Sequence, residues 1–266
     1  MPTIKIKEIE FYYELHGSGE PLVLVSGYTA DHTYWTPILQ DLASHFQVLV
    51  FDNRAVGQTQ DESMALLTAE SMADDTMTLI KALGLVKPNL IGQSMGGSIV
   101  QCLAARYADQ VSKIAIVNST AKWRLAVVHG LRNLLFMRKE NTNFDIQFDT
   151  MLAWVFGEAF LKDIAQVTAL RELVLSAPYP QSILNQERQF AVLPQFDARP
   201  YLSKITAPTL VVSGSQDILS LPVESEFLAK EISGSKLIEL DCAHAPLAER
   251  PREALAALVK FFLRGL

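Results

Sequence analysis

Six short apolar runs set the frame of this chain: PLVLVSG (21–27), FQVLVFD (46–52), PNLIGQS (88–94), KIAIVNS (113–119), PTLVVSG (208–214) and SKLIELD (235–241). Each is rich in β-branched residues or Leu and is bounded by Gly, Pro, Asn or Asp. Runs without polar alternation belong to strands buried on both faces, and such strands occur in parallel sheets covered by helices on either side. Helical stretches at 34–44, 71–83, 94–107, 223–233 and 251–264 separate the runs. Strand alternating with helix predicts an α/β fold with a doubly wound, mostly parallel sheet. The N-terminal MPTIKIKEIEFYYELHG instead alternates with a period of two, which reads as a strand hairpin.

The alternation stops between residues 121 and 200. From AKWRLAVVHGLRNLLFM through MLAWVFGEAFLKDIAQVTALRELVLSA to ILNQERQFAVLPQFDARP the periodicity is helical, with no convincing strand. The division that follows is a core built from 1–120 and 201–266, with an inserted helical cap over 121–200. A chain of 266 residues is long enough for one such core plus its insertion.

Charge and cysteine usage exclude several classes of function. There are 23 basic and 29 acidic residues, a formal charge of −6, and no basic run suited to a phosphate backbone, so nucleic acid is not an expected partner. No apolar run approaches the roughly 18 residues needed to cross a bilayer, and no membrane association is expected. The N-terminal pattern lacks a signal-peptide core, so the expected location is cytoplasmic. Cys102 and Cys242 stand in no paired motif and read as small buried residues. The histidines at 16, 32, 45, 129 and 244 never fall at ligand spacing, so neither a metal nor any other cofactor is expected. The sequence leaves the oligomeric state open.

The run at 88–94 ends in GQSMGG, which flanks Ser94 with Gly92, Gly96 and Gly97. A strand that turns into a helix within one or two residues needs close backbone approach, and side chains at 92 and 96 would collide there. The residue at the tip is then held in a strained conformation, with its side chain above the carboxyl ends of the strands. Ser94 is thereby presented as a nucleophile.

A serine hydroxyl needs a base, and the base needs an orienting group. His244, in DCAHAPLAERP, follows the strand run KLIELD and so lies at the carboxyl edge of the sheet, where sites in open α/β sheets gather. His16, His32, His45 and His129 have no such placement and read as solvated loop residues. Asp217, in PTLVVSGSQDILSLP, occupies the corresponding strand end between nucleophile and base. Asp241 and Glu239 are too near His244 along the chain to approach it from another strand. The order Ser94, Asp217, His244 is that of nucleophile-elbow enzymes.

These motifs resemble the α/β-hydrolase superfamily, in particular its esterases, lactonases and cofactor-free perhydrolases. PLVLVSGYTADHTYW, VLVFDNRAVGQT, LIGQSMGGSIVQ, ITAPTLVVSGSQDILSLP and CAHAPLAERP fall in the family's order along nearly the whole chain. The resemblance implies an acyl-enzyme mechanism on a small-molecule ester, with Ser94 as nucleophile, His244 as base and then acid, and Asp217 as the orienting carboxylate. It also implies an oxyanion hole from two backbone N–H groups, those of Met95 and Tyr28. Two departures stand out: Ser26-Gly27 replaces the usual His-Gly, and Ala55 stands where family members more often have glycine in NRAVGQT. Arg54 reads as structural. The Tyr28 side chain reads either as a loop aromatic or as a substrate contact.

Within the cap, Trp123, Phe136, Trp154 and Phe156 are the aromatics expected to line an apolar pocket, with Leu125, Leu131, Leu134 and Leu135 near them. They point to a carboxylesterase acting on small to medium apolar esters. The same residues would serve an enol-lactonase or a C–C bond hydrolase. A perhydrolase is disfavoured because SGYTADH contains no proline, and dehalogenases and epoxide hydrolases because they carry Asp where Ser94 stands. Lys122, Arg124, Arg132, Arg138 and Lys139 would suit a carrier-protein methyl-ester hydrolase. A non-catalytic ligand receptor that retains the fold is the reading from outside enzymology.

Overall fold

The computed structural model describes residues 2–264. The strands are β1 (Thr3–Ile6), β2 (Ile9–His16), β3 (Pro21–Val25), β4 (Gln47–Phe51), β5 (Gln60–Asp61), β6 (Asn89–Gln93), β7 (Ile114–Val117), β8 (Thr209–Gly214) and β9 (Lys236–Leu240). The helices are α1 (Thr36–Ala43), α2 (Ala69–Ala82), α3 (Met95–Arg106), α4 (Leu125–Lys139), α5 (Phe144–Val155), α6 (Glu158–Lys162), α7 (Ile164–Leu175), α8 (Ile183–Phe190), α9 (Val192–Gln195), α10 (Pro222–Glu231), α11 (Pro246–Glu249) and α12 (Pro251–Arg264). No helix among the described residues is long and apolar enough to cross a membrane.

One sheet runs in the order β1-β2-β4-β3-β6-β7-β8-β9, with β5 pairing to β2. Strands β4, β3, β6, β7, β8 and β9 are parallel, while β1 and β2 form the N-terminal hairpin and β2 lies antiparallel to β4. The inner strands β3, β4, β6, β7 and β8 are buried along nearly their whole length because both faces are covered, whereas the run at 235–241 forms the edge strand β9, which is partly exposed and carries Lys236 and Glu239. Along β3, Val23 and Val25 face a cluster with Met72 and Ala73 of α2 and Ile99 and Leu103 of α3. Leu22 and Leu24 face the other side, with Ile38 and Leu42 of α1 and Leu258, Phe261 and Phe262 of α12. Burial of each such aliphatic side chain contributes about 1.5–3 kcal/mol. The two-residue strand β5 is too short to leave a period in the sequence.

From β3 the chain steps to β4 on one side, then returns past β3 to β6 and continues outward. Strand order therefore reverses between β3 and β6, and the crevice above their carboxyl ends is where open α/β sheets hold their ligands. The loop beginning at Ser26 and the turn at Ser94 both open there. Six helices, α4 to α9, occupy the stretch between β7 and β8. In this stretch Phe148, Leu152, Phe156 and Phe160 form their own buried cluster, which reaches Ala245 beside His244.

Candidate active site

At the end of β6, Ser94 takes φ 55° and ψ −122°, a conformation that non-glycine residues avoid. The glycines explain how the turn is packed. A methyl group at Gly92 would lie 2.3 Å from Gly96 O, and one at Gly96 would lie 2.0 Å from Val25 O. Strand β6, helix α3 and strand β3 thus meet backbone to backbone, and the strained serine is held by contacts on every side.

The structure brings Ser94, His244 and Asp217 together from three strand ends. His244 Nε2 lies 2.9 Å from Ser94 Oγ, and His244 Nδ1 lies 2.8 Å from Asp217 Oδ2. Asp217 is buried, and its oxygens accept five hydrogen bonds. Oδ1 accepts the N–H groups of Leu219 (2.8 Å) and Ser220 (3.1 Å), and Oδ2 accepts the Ser220 hydroxyl (2.7 Å), Asn118 Nδ2 (2.9 Å) and the His244 ring. Burial alone would raise this carboxyl. The neighbouring His244 and the Ser220 donors outweigh it and hold Asp217 below the ordinary carboxylate range. An anionic Asp217 can accept from Nδ1–H, which leaves Nε2 as the nitrogen able to take the Ser94 proton.

Asn118, Ser220, Gln93 and Glu249 are site residues that sequence reasoning does not find. Asn118 donates to Asp217 and also to Ala243 O (2.7 Å). Gln93 Nε2 donates to His244 O (3.1 Å). The Glu249 carboxylate accepts the N–H groups of Ala243 (3.0 Å) and Ala245 (3.3 Å), on either side of His244, and that of Gly157 (2.9 Å). His244 N–H in turn donates to Val155 O (3.0 Å). The one available signal was Asn118, a polar residue directly after a parallel strand. Ser220 acts through its hydroxyl and N–H on Asp217 three residues away, whereas Gln93 and Glu249 act on backbone groups brought close only by folding.

The loop expected to supply an oxyanion donor lies against Ser94. A methyl group at Gly27 would stand 3.0 Å from Ser94 Cβ and 2.8 Å from Gln93 Oε1, so glycine is required there. Ser26 takes over the anchoring of this loop. Its hydroxyl donates to Asp31 O (3.0 Å) and accepts from the Trp35 indole (2.9 Å), while its carbonyl accepts Asn53 Nδ2 (3.0 Å). Among the described residues, the N–H groups of Tyr28 and Met95 donate to no protein acceptor, whereas those of Thr29, Ala30, Ser94 and Gly97 do. The Tyr28 ring turns toward α8 and meets Phe190 edge-on, centroids 6.3 Å apart.

The four aromatics of residues 121–200 do not share one wall. Trp123 is buried in the central cluster and donates from Nε1 to Ser98 Oγ (3.2 Å). Phe136 is half exposed on α4, and Trp154 packs its ring against Gly130 of the same helix. Phe156 stacks on Phe160, centroids 4.2 Å apart, in the cluster that touches Ala245. Cys102 and Cys242 are both free and buried. Arg54 lies between Asp61 (3.4 Å) and Asp75 (3.3 Å), as a structural residue would.

His32 departs from its expected place as a solvated loop residue. Its ring nitrogen Nδ1 (2.7 Å) and its backbone N–H (2.8 Å) both meet Oδ1 of the fully buried Asp52, which needs donors to offset its desolvation. Asp31, His32 and Asp52 are also the trio among the described residues whose ligand atoms lie within 4.8 Å of one another. Their atoms are already engaged: Asp52 Oδ2 accepts Gln58 N–H (2.7 Å), and Asp31 Oδ1 accepts Thr33 N–H (2.9 Å). His32 and Asp52 form a hydrogen-bonded pair, and the Asp31 carboxylate caps the turn that follows it through Thr33 N–H.

Comparison with known proteins agrees with this architecture. Residues 20–251 match the family described as the alpha/beta hydrolase fold. The chain is 27% identical over 259 residues to the "Putative carbamate hydrolase RutD" of Agrobacterium fabrum, covering 95% of this chain and 98% of that protein. It is 26% identical over 234 residues to 3-oxoadipate enol-lactonase 1 of Acinetobacter baylyi, covering 87% and 84%. A thermophilic esterase from Thermogutta terrifontis superposes with a TM-score of 0.84 at 28% identity, covering 98% of both chains. With a doubly wound sheet, a strained serine at the β6–α3 turn and a family match spanning most of its length, the chain belongs to the α/β-hydrolase fold family.

Proposed function

We propose that this protein is a cytoplasmic serine hydrolase that cleaves carboxylic esters of small to medium apolar substrates through an acyl-enzyme intermediate. The observation that carries the reading is the continuous relay Ser94 Oγ to His244 Nε2 to Asp217 Oδ2, at 2.9 and 2.8 Å. In the first half-reaction Ser94 Oγ attacks the acyl carbon as His244 takes its proton. The tetrahedral oxyanion is held by the N–H groups of Met95 and Tyr28, and the alcohol leaves with the proton from His244. Water then repeats the sequence on the acyl-enzyme and releases the acid. The insertion acts as a cap, and its Phe156–Phe160 stack places apolar surface beside the histidine loop. Two free, buried thiols fit a reducing compartment.

Lactone opening is the second reading, and carbamate cleavage joins it. Both use the same acyl chemistry, and they are favoured by the names of relatives at 26% and 27% identity. The test is a panel of p-nitrophenyl esters from two to sixteen carbons, together with an enol-lactone and an aryl carbamate, assayed on the parent and on Ser94→Ala. Hydrolysis of the short and medium esters, lost by several powers of ten in folded Ser94→Ala, is the expected result. Comparable turnover by Ser94→Ala would rule out the serine mechanism. A maximum at the longest chains would rule out the small pocket.

A further inference from the structure

Thr29 is a β-branched residue with φ 64°, immediately after Tyr28, the second oxyanion donor in the proposed mechanism. A β-branched side chain in the left-handed region is an outlier that persists only where the surroundings over-determine it. Here the determining contact comes from the cap. Gln189 of α8 has no exposed surface. Its Oε1 accepts the Thr29 N–H at 3.0 Å, and its Nε2 donates to Arg54 O at 2.8 Å. Gln181 completes the arrangement by donating from Nε2 both to Gln189 Oε1 (3.0 Å) and to Ala55 O (2.7 Å). Ala55, at φ 65°, is another non-glycine residue in the left-handed region. One buried amide from the insertion therefore spans the loops that follow β3 and β4.

We infer that Gln189 is a positioning residue for the oxyanion hole: by holding Thr29 N–H it aims the adjacent Tyr28 N–H at the developing negative charge, so the cap sets transition-state geometry as well as covering the substrate. The inference rests on the serine-hydrolase reading above. A buried glutamine on a helix packed against the core could merely fill space, but its acceptor is spent on the residue next to the proposed donor and its amide fixes the neighbouring loop.

The test compares parent, Gln189→Met and Gln181→Met, all checked for folding by thermal melting and circular dichroism. Methionine keeps the length of the side chain and removes its hydrogen bonds. Loss of one oxyanion donor costs about 10²–10³ in rate, and displacement of the donor costs less. We expect kcat/KM for p-nitrophenyl acetate to fall by about 10- to 100-fold in Gln189→Met, carried by kcat, with KM within about threefold of the parent. The inhibition constant of an aliphatic boronic acid, which forms a tetrahedral adduct on the serine, should rise by a similar factor, while that of the product acid should not. Gln181→Met leaves the Thr29 contact in place and should stay within about threefold on each measure.

Three results would overturn the inference: Gln189→Met matching the parent, Gln189→Met losing rate with unchanged boronate affinity, or Gln181→Met showing equal losses. If folded Gln189→Met had collapsed to a lower melting temperature, Gln189→Glu would decide, because it retains the acceptor for Thr29 N–H. Boronate affinity nearer the parent than that of Gln189→Met supports the inference, and equal loss overturns it. Failure of the underlying reading looks different, since Ser94→Ala would then still turn over substrate.

Discussion

Replacing Asp217 with asparagine changes one oxygen to an amide nitrogen at almost constant volume, and the structure shows what each orientation of that amide would meet. With nitrogen in the Oδ2 position it faces three groups that now donate: His244 Nδ1–H, Asn118 Nδ2 and the Ser220 hydroxyl. The hydroxyl can rotate and accept. The imidazole can adapt only by moving its proton to Nε2, the nitrogen that must accept from Ser94. With nitrogen in the Oδ1 position, the amide faces the backbone N–H groups of Leu219 and Ser220, which cannot rotate away. Two buried donors left unpaired cost about 1–3 kcal/mol each. The first orientation leaves one such donor, Asn118 Nδ2–H, facing the amide, so it prevails by the difference, about 1–3 kcal/mol, and holds the histidine in the unproductive tautomer by that margin. At 1.36 kcal/mol per tenfold that margin costs about 5- to 150-fold, and loss of the carboxylate charge that stabilises the imidazolium adds to it, so kcat/KM for p-nitrophenyl acetate should fall between about 10-fold and about 10⁴-fold. The upper end matches the handicap seen when the corresponding carboxylate of a serine protease becomes an amide. The assay is p-nitrophenolate release by the folded variant, with Asp241→Asn as the control. Asp241 is exposed and bonds only to Gln216 and Arg250, so that variant should stay within about twofold of the parent. A kcat/KM for Asp217→Asn within tenfold of the parent, or a larger loss in Asp241→Asn, would refute the reasoning.

Glu249→Gln leaves at least one of the Ala243, Ala245 and Gly157 N–H groups facing an amide N–H, which should loosen His244; kcat for p-nitrophenyl acetate should fall by about 5- to 50-fold, and an unchanged kcat would show that the histidine loop holds itself. Burial pushes the Asp75 carboxyl up to about 6 despite the neighbouring Arg54. A carboxyl raised on folding supports stability below its unfolded value near 3.9, and that support is lost as pH rises toward 6. Asp75→Asn, which mimics the protonated form, should therefore raise the melting temperature relative to the parent at pH 8 and not at pH 4. Equal effects at the two pH values would contradict the assignment.

Much of this protein is legible without coordinates, because its signals are local. Runs such as PLVLVSG and PTLVVSG show no polar alternation since both faces of β3 and β8 are covered. Ser94 is announced by Gly92 and Gly96, whose missing side chains are demanded by backbone contacts within a single strand–turn–helix unit. Asp217 and His244 are recognisable because each directly follows a strand, and strand ends in a parallel sheet converge on one edge.

What the tertiary structure alone decided are the contacts whose partners lie far apart in the chain. Asn118 reaches Asp217 across 99 positions, Glu249 reaches Gly157 across 92, and Gln189 reaches Thr29 across 160. No period or spacing encodes such pairs, because each joins a side chain to a group that becomes its neighbour only when β7 pairs with β8 or when residues 121–200 pack onto the sheet. The aromatics of residues 121–200 show the same limit. Trp123, Phe136, Trp154 and Phe156 are alike as sequence, yet one is buried against α3, one half exposed, one packed on a helix glycine and one stacked beside the histidine loop. Apolar character states that a side chain seeks burial; which surface receives it is settled by how the helices pack.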